Sequence, residues 1–93
     1  MVVGVLHVEC SLPGTQSIKD KRRIVRSLLD RLHHRFHVAA AEVTHHDSWR
    51  RAGLAVAYIS TDARHADQVL AHVAAAIDRH GELVLLDYSI EMR

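Results

Sequence analysis

Residues 17 to 44 read SIKDKRRIVRSLLDRLHHRFHVAAAEVT, and within them the apolar pattern changes from that of a helix to that of a strand. Ile18, Val25, Leu28, Leu32 and Phe36 recur at helical spacing and fall on one stripe. Ser17 stands at the N-cap position, with Asp20 three residues later in the manner of a capping box. Val38 to Thr44 then predicts a strand, reached through a short connection. A helix turning directly into a strand is one half of a repeating unit, and the rest of the chain shows what it is paired with.

Upstream, Val2 to Cys10 is β-branched and alternating and stops at Pro13-Gly14, which reads as a strand and a turn. Downstream, the loop HHDSWRR leads into a third strand from Gly53 to Ser60, whose small residues Ala55 and Ala57 would let a helix approach closely. Asp62 can cap a second helix that buries Ala66, Val69, Leu70, Val73 and Ile77, with Gly81 as its stop. Leu83 to Met92 is the fourth strand. The order βαββαβ with short connections predicts a ferredoxin-like α+β sandwich: one domain spanning residues 1 to 93, a four-stranded antiparallel sheet and both helices on one face. In that topology the start of the first helix, the loop HHDSWRR, and Arg79 with His80 share one end, and His33 lies at the other.

The helix start poses an electrostatic problem. Lys19, Lys21, Arg22 and Arg23 surround a single Asp20 where aligned peptide dipoles already place partial positive charge, so each exposed cation is disfavoured by about 0.3 to 1 kcal/mol. An anionic partner would resolve it, and the four are then expected to be dispensable for folding. The formal charge of +1 conceals an asymmetry: residues 1 to 51 hold nine Lys or Arg against five Asp or Glu, and residues 52 to 93 hold three against six. A one-sided basic surface is the footprint of a nucleic-acid binder.

The rest of the composition excludes more than it assigns. The chain is 48% apolar and 25% charged, which is ordinary for a soluble globular domain. MVVGVLHVEC has no basic start and is interrupted by His7 and Glu9, so it reads as neither a signal peptide nor a membrane span. A lone Cys10 fits a reducing compartment, and the expected location is cytoplasmic. No phosphate loop, dinucleotide fingerprint or paired acid motif is present, which argues against an enzyme and a small-molecule substrate. No cofactor is expected.

From Ser17 to Arg23, through Arg35-Phe36-His37-Val38, to Ala41-Glu42-Val43 with His45 and Trp49, the chain closely resembles the YlxP-like proteins of the domain-of-unknown-function 503 family. The likeness runs from Val2 to Glu91. It implies a ferredoxin-like fold and no established reaction. Members are commonly encoded beside translation initiation and ribosome maturation factors, which implies an association with RNA or the ribosome.

The residues themselves suggest where RNA would sit. Lys19, Arg23 and Arg26 follow outward helical spacing, and Lys21 and Arg22 flank the apolar stripe at its tip. His45, His46, Trp49, Arg50 and Arg51 extend the cluster across the neighbouring loop. Cations with one interleaved aromatic suit a phosphate backbone with one stacked base. The open sheet face is expected to show Val3, Val5, His7, Glu9, Glu42, Asp87 and Glu91, with Val2, Leu6, Val84, Leu86, Tyr88 and Ile90 on the helix side. Without aromatics on its first strand it does not suit RRM-type recognition. Val3, Val5 and Leu85 could instead support a homodimer, as could the edge strand Val38 to Thr44. His33, His34 and His37 lack the clustered ligands of a zinc shell. Cys10 beside His45, His46 and Asp47 resembles a nucleophile arrangement, yet its parity with Val2, Leu6 and Val8 predicts an inert buried thiol.

Overall fold

The computed structural model describes all of residues 1–93 and contains six elements: β1 (Val2–Ser11), α1 (Ile18–Phe36), β2 (Ala39–Thr44), β3 (Arg51–Ser60), α2 (Ala63–Asp78) and β4 (Val84–Met92). The sheet order is β2-β3-β1-β4 with every neighbouring pair antiparallel. This is the ferredoxin-like βαββαβ sandwich, an open sheet with both helices packed on one face.

Local chemistry sets the element ends. Ser17 Oγ accepts from the Asp20 N–H at 3.0 Å, and Asp20 Oδ2 reaches back to the Gln16 N–H at 3.4 Å, one residue before the cap. His37 closes α1 in the left-handed region at φ 55°. Asp62 caps α2 through the Arg64 N–H. Gly81 is not the stop: α2 ends at Asp78 with Arg79 at its C-cap in the right-handed region, and no glycine has positive φ.

Leu6, Val8, Cys10, Leu54 and Val56 from the sheet meet Ile24, Val25, Leu28 and Leu32 of α1 and Leu70, Val73 and Ile77 of α2 in one buried core. Ala55 and Ala57 do not admit a helix, because they pair with His7 and Val5 and so face the open side. The close approach occurs at Gly4, where an added Cβ would stand 2.7 Å from Leu70 Cδ1.

Two β-bulges reverse side-chain parity and with it some expected faces. In β4 the register shifts between Glu9 and Cys10 of its partner, so Leu85 lies opposite Cys10 and packs against the core. Val84 and Leu86, expected on the helix side, are 48% and 49% exposed. In β2 the shift falls at Val43, and Glu42 lies opposite the buried Leu54. Glu42 therefore faces α1 and not the open side. Val3, Val5, His7, Glu9, Asp87 and Glu91 do share the open face.

Candidate nucleic-acid interface

The topology brings the start of α1 and the β2–β3 loop together, as expected from strand direction. Thr15, fully buried just before α1, places its hydroxyl 2.9 Å from the Leu12 carbonyl and 2.5 Å from the Trp49 carbonyl. Lys21 Nζ donates to the His45 carbonyl at 2.6 Å. At the opposite end the Ala40 N–H donates to His33 Nε2, so His33 and Trp49 are at the two ends of the molecule.

Four of the ten predicted site residues remain cationic and unanswered. Lys19, Arg22, Arg26 and Arg50 are exposed, and none has a carboxylate oxygen within 4.0 Å. Trp49 accompanies them at 50% exposure. The other five are engaged within the protein. Arg23 meets Asp20 at 2.9 Å and Glu82 at 3.6 Å; its guanidinium holds the Asp20 carboxyl below the usual range. Arg51 and His45 converge on Glu9 at 3.3 and 3.0 Å. His46 Nε2 lies 3.1 Å from the Glu42 carbonyl.

Lys21 is the clearest departure. It is 0% exposed, and its Nζ lies 2.6 Å from Glu42 Oε2, whose side chain is 14% exposed. Glu42 Oε2 makes no aligned hydrogen bond, so the Lys21 ammonium is its only compensation. A buried cation of this kind cannot meet a phosphate, and replacing the four helix-start cations together is not neutral for folding. The sequence carried the signal: Lys21 stands four, seven and eleven residues before Val25, Leu28 and Leu32, squarely in the apolar stripe. The pair ties α1 to β2, and the Lys21–His45 hydrogen bond fixes the loop that presents Trp49. His45 has φ 64°, a left-handed conformation of modest frequency for a non-glycine residue.

Arg79 and His80 are not part of this cluster. The α2–β4 connection reaches the same end through Glu82, but Arg79 and His80 line a separate cleft with Arg31 and Arg35, farther along α1.

The Cys10–His45–Asp47 arrangement does not assemble as a nucleophile. Cys10 is fully buried on the helix side, while Glu9, the residue that His45 contacts, faces outward. Burial, and secondarily the Glu9 charge, push the Cys10 thiol up to about 11, the direction that removes thiolate. No helix is long and apolar enough to cross a membrane.

Taken together these features define an α+β ferredoxin-like domain with a basic helix start and a half-exposed tryptophan beside it. The chain belongs to the family described as protein of unknown function (DUF503), whose model matches residues 3–90. It is also similar to the "Uncharacterized protein YlxP" of Bacillus subtilis (strain 168), 28% identical over 82 residues that cover 88% of this chain and 89% of that protein.

Proposed function

We infer that this protein is a non-enzymatic binding protein that associates with RNA, free or on the ribosome, through the end formed by α1 and the β2–β3 loop. One observation carries the reading: exposed cations without a carboxylate within 4.0 Å stand at the start of α1 and on the β2–β3 loop, and that loop, which also bears the half-exposed Trp49, is tied to the α1 end through Thr15 and Lys21. Lys19 and Arg22 stand at a helix N-terminus and make no ion pair within 4.0 Å, and a phosphate there would compensate them. Trp49 supplies a stacking surface, worth about 1 to 3 kcal/mol per base. Arg23, Arg51, His45 and His46 frame the surface and keep it folded. The test is purification under native conditions at low salt. The protein should carry RNA, seen as raised absorbance at 260 against 280 nm and removed by high salt. A preparation free of nucleic acid that also fails to bind mixed short RNAs at low salt contradicts the reading and leaves an acidic protein surface as the partner.

A homodimer through the open sheet face is the second reading. Its support is a shallow, wholly apolar concavity of about 270 Å³ formed by Val5, Ala39, Ala41, Ala55 and Ala57 with their neighbours, beside Ile59 at 66% exposure. Leu85 takes no part in it. The β2 edge is a poorer interface, because an inward charge at Glu42, a bulge at Val43 and the His33 side chain on the Ala40 N–H are the devices that discourage edge pairing. Val5→Glu should convert a dimer to monomer in sedimentation experiments. A wild type that sediments as monomer at tens of micromolar rules the dimer out.

A further inference from the structure

The groove between α1 and α2 holds a second concentration of positive charge that the RNA reading does not use. Arg31 and Arg35 stand one turn apart on α1, and Arg79 and His80 follow the end of α2; together they line a cleft of about 130 Å³. Its floor is apolar, from the buried Leu28 and Leu32. No carboxylate oxygen lies within 4.0 Å of any of the three guanidinium groups, although Asp30 and Asp78 are their neighbours in sequence. Glu82, two residues after His80, pairs with Arg23 at 3.6 Å.

Placement near helix C-termini explains why single cations are tolerated there. It does not explain why three of them line one cleft, where they repel one another above a low-dielectric floor. Two of the groups, Arg35 and His80, also have contacts of their own. The Arg35 guanidinium sits 5.0 Å over the Phe36 ring, a cation–π contact that restricts it. The Glu82 N–H is directed at His80 Nδ1 at 3.4 Å, which leaves the Nε2 proton of neutral His80 as a free donor. The volume is well below the roughly 300 Å³ at which pockets begin to enclose a whole organic ligand, and well above that needed by one water. It suits one compact polyanionic group.

We propose that the cleft lined by Arg31, Arg35, Arg79 and His80 is a phosphate-binding site, distinct from the α1 N-terminal end and independent of the RNA reading. Arginine pairs are suited to it because each guanidinium presents a planar fork of donors that matches two phosphate oxygens. The phosphate could belong to a free or monoester phosphate or to a phosphodiester backbone, and the experiment separates the two. Protein labelled with ¹⁵N is titrated with inorganic phosphate at constant ionic strength, and in parallel with a short unstructured oligoribonucleotide. Saturable resonance shifts are expected at Arg31, Arg35, Arg79 and His80. Saturation by inorganic phosphate identifies free or monoester phosphate as the ligand. Saturation there by the oligonucleotide alone identifies a backbone phosphodiester, and either result upholds the site. Arg31→Gln with Arg79→Gln, both exposed and outside the core, should weaken binding by about tenfold for each guanidinium removed. Shifts that rise linearly without saturating, survive the double substitution, or gather only around Lys19 to Arg26 overturn the proposal. Because RNA binding at the start of α1 is read from Arg22 and Trp49, either inference can fail while the other stands.

Discussion

Lys21 and Arg22 are consecutive cations on the first turns of α1, and the helix sends them to opposite environments. Lys21 turns inward to Glu42 and the His45 carbonyl, while Arg22 turns outward and meets no carboxylate. The same formal charge thus serves folding at one position and is available for a ligand at the next. A basic run read as a single patch conceals this division, and total charge is a poor guide to how many phosphates such a run can reach. The division predicts that inward substitutions alter stability and outward ones alter binding.

Lys21→Met gives the largest effect. It strands the Glu42 carboxylate in a nearly buried site, and the expected loss is about 3 to 5 kcal/mol in urea unfolding. Arg22→Met should stay within about 0.5 kcal/mol of wild type. Pairing Lys21→Met with Glu42→Leu should recover most of the loss, since replacing both charges removes the stranded one. Equal behaviour of the two single variants would erase the distinction between them.

Cys10 extends the inward side of the comparison. Its folded pKa is raised from 9.0 to about 11, so the folded state binds the proton more tightly than the unfolded state. The associated stability is present below pH 9 and is lost as pH rises towards 11, by about 2 to 3 kcal/mol in total. Cys10→Ala should remove this alkaline component, and a thiol reagent should label native protein only as fast as it opens. Rapid labelling at neutral pH would show the thiol to be accessible.

Trp49→Ala belongs to the outward side. It should weaken RNA binding by about 1 to 3 kcal/mol without altering salt dependence, because stacking releases no counterions. Fluorescence anisotropy at two salt concentrations separates these quantities, and a change of slope would place Trp49 against phosphate.

The smallest effect is the acid response of exposed pairs. Asp20 is lowered chiefly by its hydrogen bond from Arg23, and Glu91 chiefly by His7 and then by Arg93. Their contribution is present above the ordinary values of 3.8 and 4.5 and is lost as pH falls through the lowered ones. Arg23→Gln should reduce the drop in melting temperature between pH 7 and pH 3 slightly; an unchanged drop would remove Asp20 from the account.

Element order, the helix N-caps Ser17 and Asp62 and the meeting of α1 with the Trp49 loop are legible because each rests on local pattern or chain direction, whereas the end of α2 at Asp78 is not marked by Gly81. Bulges are not legible, since one extra residue in β4 or β2 reverses every later side chain without a compositional mark. Leu85 shares the helix side with Tyr88 and Ile90 for that reason, whereas Glu42 precedes the bulge at Val43 and takes its face from regular alternation with Ala40. The small size of Ala55 and Ala57 is no mark of a helix contact, because alternation with the buried Leu54 and Val56 assigns them to the open side. Lys21 is buried because its place in the apolar stripe of α1 outweighs its charge once Glu42 is its partner. The basic cleft of Arg31, Arg35 and Arg79 joins residues more than forty positions apart, and only the packing of α1 on α2 brings them together.

The salt dependence of RNA affinity tests the central claim most directly. With four free cations each neutralising one phosphate, log affinity should fall with log salt at a slope of about −3 for single strands, taking about −0.7 per phosphate. Lys19→Gln with Arg22→Gln and Arg26→Gln, leaving Lys21 in place, should flatten the slope to about −1 while stability stays near wild type. An identical slope in the folded triple variant, or no binding by wild type at low salt, would contradict the assignment of these outward cations to phosphate.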